Sequence, residues 1–119
     1  MPRTTIERIV EARLRMLELE APGTVRHHDI VMEHGAVRGM ITITDTEGRP
    51  LYIEFLESQD SLFRPGALGQ FNEATTSGGK ALVIVPDEAH SAAAELLSRS
   101  GNPSVELASY GVVGISLMA

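Results

Sequence analysis

Hydrophobic and polar positions alternate most regularly between Gly35 and Glu57. Val37, Gly39, Ile41 and Ile43 interleave with Arg38, Met40, Thr42 and Thr44; after a break, Leu51, Ile53 and Phe55 interleave with Tyr52, Glu54 and Leu56. A period of two in stretches rich in Ile, Thr and Tyr predicts paired strands. The break, Asp45-Thr46-Glu47-Gly48-Arg49-Pro50, supplies the Gly and Pro of a turn. The expected hairpin pairs Ile41 with Ile53. Thr24 to His34 reads as an earlier strand, with Val25, Ile30 and Val31 as its apolar members.

Elsewhere the period is helical. Ile6, Ile9, Val10, Leu14 and Leu17 form one face of a first helix, opposite Glu7, Arg8, Glu11, Arg15 and Glu18. Thr4 followed by Glu7 predicts a capping box with Thr4 as N-cap, and Pro22-Gly23 stops the helix. Ser58 to Gly66 reads as loop. Ala67 to Ser77 reads as a second helix, turned inward at Leu68, Phe71 and Thr75 and ended by Gly78-Gly79. Ala81 to Val85 is uninterruptedly apolar and short, which suits a strand covered on both faces near the middle of a sheet. A third helix follows with Asp87 as N-cap, then a strand at Val105 and Leu107 joined by a parallel crossover. Gly111 to Met118 is apolar enough for a closing strand or a dimer contact. The whole is an α/β chain in the order αβββαβαβ, one domain over residues 1–119 with a mixed central sheet.

Composition narrows the function. No apolar run approaches the ~20 residues of a membrane span, and Met1 to Thr5 lead into a charged helix rather than a signal peptide. The chain has no cysteine, so thiolate chemistry is excluded and a cytoplasmic location is expected. A net charge of −6 disfavours broad adhesion to nucleic acid or anionic lipid. Lys80 is the single lysine.

Glu54 shares its strand face with Tyr52 and Leu56. An acid on a largely apolar face needs a partner: a metal ion, or an arginine such as Arg38 across the hairpin. His27, His28, Asp29 and His34 are the one histidine-rich cluster, read as a zinc site or as a polar strand end or subunit contact. Arg64, ahead of the second helix, is an anion ligand or an exposed loop cation. Gly78-Gly79-Lys80 lacks Walker spacing and precedes a strand, and no serine stands in a G-x-S-x-G context.

The order of a helix, three meandering strands, a helix and a buried strand resembles the restriction-endonuclease-like fold of the PD-(D/E)XK nucleases, from about Thr4 to Leu107. The resemblance implies a Mg²⁺-dependent DNA nuclease in which strand carboxylates hold the metal and a lysine helps activate water. Ile53-Glu54-Phe55-Leu56 falls at the Glu-x-Lys triplet, with Glu54 as the acid and Leu56 where the lysine belongs. Asp29 matches the upstream acid, Lys80 a relocated lysine, Gln70 a helix glutamine of some members, and Glu7 or Glu11 their helix-one acid. Asp29 and Glu54 would ligate Mg²⁺, and Asp29, Glu54 and Lys80 would be catalytic. The missing lysine makes the expectation a degenerate or weakly active nuclease relative. The alternative is a non-catalytic dimerisation or protein-interaction module on the same scaffold, which the acidic charge and the apolar C-terminal segment favour.

Overall fold

In the computed structural model, which describes residues 1–115, five strands form one sheet in the linear order β1-β2-β3-β4-β5. The strands are β1 (Val25–Glu33), β2 (Ala36–Thr44), β3 (Pro50–Leu56), β4 (Lys80–Val85) and β5 (Val105–Ser109), and the helices are α1 (Arg3–Glu20), α2 (Gln59–Leu62), α3 (Ala67–Glu73) and α4 (His90–Ser98). The first three strands are an antiparallel meander, and β4 and β5 add to it in parallel. The mixed α/β architecture agrees with the order expected from the sequence, with one short extra helix. Among the described residues no helix is long and apolar enough to cross a membrane.

Alternation sorts the side chains into two cores. On one face α1 lays Ile6, Ile9, Val10 and Leu17 against Val37, Ile41, Ile43, Leu56 and Ile84. On the other, Leu62, Ala67, Phe71, Ala89 and Ala93 of the later helical segments cover Phe55, Ala81, Val83 and Val85. The rings of Phe55 and Phe71 meet edge to face at 4.9 Å. β4 divides its apolar run between the two cores, Leu82 and Ile84 toward α1 and its other members away, as a strand buried on both sides requires. Close approach of α1 to β2 depends on Gly39, where a Cβ would lie 2.5 Å from Val10 Cγ2.

The structure departs from expectation at several local points. Pro2, not Thr4, is the N-cap of α1, and no side chain caps it; Glu7 instead takes the Arg3 Nε–H at 2.9 Å. The stretch expected to be loop contains α2, closed by a reciprocal capping box between Ser58 and Ser61. α3 stops at Glu73 because the hydroxyls of Thr75 and Thr76 donate to the carbonyls of Asn72 and Glu73 and draw the chain into turns. Asp87 caps no helix; its carboxylate accepts the Gly111 N–H at 2.8 Å and ties the segment after β5 to the turn before α4. Gly111 to Gly114 form turns, Ile115 is buried outside any strand, and residues 116–118 of the expected closing strand lie outside the described residues.

The hairpin register is also shifted by one. Thr44 pairs with Pro50 but Ile43 pairs with Tyr52, so Leu51 is an extra residue on β3. Beyond this bulge Ile41 faces Glu54 rather than Ile53. Asp45 organises the loop, accepting the backbone N–H groups of Glu47 and Arg49, both at 2.9 Å. The other hairpin turns at His34-Gly35, both at positive φ, the backbone of a tight two-residue hairpin turn.

Candidate functional site

Arg13 occupies a position of the apolar stripe of α1, three residues after Val10 and four before Leu17, so the helix that buries the stripe buries a guanidinium. Directly beneath it lies Glu54, turned toward α1 by the bulge. Arg13 Nε and Nη2 donate to the two Glu54 carboxylate oxygens at 2.7 and 2.9 Å, a forked pair with side chains 6% and 2% exposed. Arg13 Nη1 also reaches Glu20, at 3.2 Å. Burial alone would pull the Arg13 guanidinium down, but the hydrogen bonds and charge of Glu54, aided by Glu20, hold it above its usual value.

This pair forms the wall of a cavity of about 690 Å³. Leu17, Ile43 and Leu82 supply apolar lining, and Tyr52, Lys80, Glu20 and Glu106 the polar part. Tyr52 Oη donates to Glu106 Oε1 at 2.9 Å, crossing from β3 to β5. That hydrogen bond, together with burial, raises the phenol above its ordinary range. Lys80 is exposed at the start of β4, where its backbone is in register with Tyr52.

Of the residues singled out from the sequence, Glu54 and Lys80 therefore share one cavity. Asp29 does not join them. It pairs with Met40, whose other neighbour is Phe55, so Asp29 lies on the sheet face opposite Glu54 and is exposed. Arg38 is on that opposite face too and is not the partner of Glu54; Arg13 is. His27 and His28 point to opposite faces of β1, and His34 is a turn residue. Among the described residues no three His, Asp or Glu side chains are grouped to hold a metal ion. Glu7 and Glu11 are exposed and pair along α1 with Arg3 and Arg15. Gln70 gives its amide oxygen to Arg64 Nε and Nη2, at 3.1 and 2.6 Å.

A second buried charged group escaped the sequence reading. Glu57, fully buried, follows β3 and accepts from Arg64 Nη1 at 2.5 Å and Ser61 Oγ at 2.8 Å. Arg64 is thus neither an exposed cation nor a free anion ligand; it is 5% exposed and also lies over the Phe71 ring. Burial raises Glu57 against the opposing pull of Arg64, and its second oxygen, Oε2, is buried without a partner. Tyr110 donates to the backbone carbonyl of Glu57. The signal available beforehand was small: an acid and two serines directly after a strand, next to an arginine.

Comparisons of the chain with family models, with curated proteins and with solved structures give no match.

Proposed function

We propose that this chain is a non-cleaving binding module on a restriction-endonuclease-like scaffold, its strand carboxylate converted from metal ligand to structural ion pair. One observation carries the reading: both oxygens of Glu54 accept from Arg13, while Asp29 stands on the other side of the sheet. A Mg²⁺ ion needs convergent oxygen ligands with unshared lone pairs. The donor set here, one carboxylate already bridged to a guanidinium, does not fit it.

The test uses supercoiled, linear, branched and single-stranded DNA with Mg²⁺ or Mn²⁺, for the wild-type chain and Glu54→Ala. The expected result is no cleavage by either. Cleavage by the wild type that disappears in the variant would overturn the proposal. A second reading, a Mg²⁺-dependent nuclease acting on DNA, is favoured by Lys80 lining the same cavity as Glu54. It requires Arg13 to leave Glu54, so Arg13→Ala should then gain metal binding by calorimetry. Self-association through the apolar end of the chain, where Val112 is 80% exposed, belongs with the module reading; sedimentation showing monomer alone at high concentration would remove it.

A further inference from the structure

On the sheet face away from the Glu54 cavity, Arg38 is 4% exposed and its Nε is buried without a hydrogen-bond partner. Its ion-pair contact is Glu33, whose Oε1 is 3.5 Å from Nη2 and whose side chain is 40% exposed; its charge also acts on the buried Glu57 and Arg64, without a hydrogen bond to either. A buried guanidinium normally has its donors satisfied. This one lies in the wall of a cavity of about 300 Å³ that it shares with Met40, Ile53, Phe55, Gln70 and Glu73. The Gln70 oxygen is taken by Arg64, which leaves its NH₂ group as a further donor at the cavity.

We infer that this cavity binds a small organic monocarboxylate, its oxygens on the Arg38 guanidinium and its apolar body against Met40, Ile53 and Phe55. A planar fork of N–H groups matches two carboxylate oxygens. The Glu33 contact is long and solvent-facing, so an incoming carboxylate displaces it at little cost. Glu33 and Glu73 flank the site with negative charge, which disfavours a dianion and selects a carboxylate over a phosphate ester. The apolar wall gives the ligand a hydrophobic side chain or ring rather than a second charge. This site is independent of the proposed fate of Glu54, which faces the other core.

The test is titration of the ¹⁵N-labelled chain with benzoate, phenyl phosphate and benzyl alcohol, followed at the Arg38 Nε–Hε resonance and the amides of β2 and α3. Benzoate should shift these saturably, with a dissociation constant on the order of 1 mM for so small a probe. Phenyl phosphate should bind more weakly, and benzyl alcohol not measurably. Arg38→Met should lose at least tenfold in benzoate affinity while the amide spectrum outside β2 and α3 keeps the pattern of the folded chain. Arg38→Lys, which keeps the charge but not the fork, should bind with intermediate affinity. No saturable shift, equal binding of benzyl alcohol, tighter binding of phenyl phosphate, or full affinity in Arg38→Met would overturn the inference.

Discussion

Replacing Arg13 by Met and Glu54 by Leu, singly and together, measures what the buried pair does for the fold. Both side chains are almost wholly out of water, 6% and 2% exposed, so each charge depends on the other. Arg13→Met leaves Glu54 with no cation among its hydrogen-bond partners. Stranding a buried charge in this way costs roughly 3–5 kcal/mol, a large part of the ~5–15 kcal/mol that holds a domain together. Glu54→Leu is milder. Arg13 keeps Glu20 at 3.2 Å, and Glu20 is 47% exposed, so its screened charge offsets part of the loss. The expected cost is about 1.5–3 kcal/mol, the range for a lost hydrogen bond to a charged group. The double variant fills the same space with apolar atoms and should fall within about 1 kcal/mol of wild type or exceed it. Urea unfolding at neutral pH, followed by circular dichroism, reads these as midpoint shifts; with a slope of ~1–3 kcal/mol/M, Arg13→Met should move the midpoint by more than ~1 M. The reasoning fails if Arg13→Met costs less than about 1 kcal/mol, or if the double variant loses the sum of the two singles. Either outcome would mean the pair is solvated and uncoupled.

Three further outcomes are expected. Gly39→Ala places a methyl 2.5 Å from Val10 Cγ2 and should destabilise by ~1–3 kcal/mol as α1 is pushed from β2; thermal unfolding checks it, and an unchanged Tm would show that the helix rides freely on the sheet. Glu57 is raised by burial, so the folded chain binds that proton more readily than the unfolded one, and this group's contribution to stability falls as pH rises from about 4.5 to the raised value. Glu57→Gln should remove that fall, so the wild-type-minus-variant urea midpoint declines through the window; a difference growing with pH would contradict the direction. Tyr52 and Tyr110 are both raised, the first foremost by its bond to Glu106, the second by burial. Absorbance titration should therefore show little phenolate near pH ~10, where a free phenol is half ionised. Glu106→Gln should bring Tyr52 down alone, and no change on that substitution would refute the assignment.

The alternating strands, the doubly covered apolar run of β4 and the one-sided helix α1 were legible because burial imposes periods of two and of 3.6 on the sequence. What escaped was decided by single residues. Without Leu51 as an extra residue, Met40 would face Glu54, and Asp29, Met40 and Glu54 would stand in one row on the face that carries Arg38. On that face Glu54 would have met Arg38 across the hairpin, the pairing expected from the sequence; the metal site was implied by the resemblance alone. A bulge of one residue reverses the face of every later side chain on β3, and nothing in Arg49-Pro50-Leu51 announces it beyond the proline. Arg13 was more accessible: a charge at a stripe position of an amphipathic helix signals a buried counterion. Glu57 and Arg64 pair across a short helix that read as loop, so their meeting had no periodic signature.

Because every strand after the first hydrogen-bonds to the one before it, the spatial order of the sheet repeats the order of the sequence. No strand has to be inserted between two others that precede it in the chain. The two margins of the sheet are consequently its first and last strands, β1 and β5. Shortening from the carboxyl end should narrow the sheet by one strand at a time, without opening a hole in its middle.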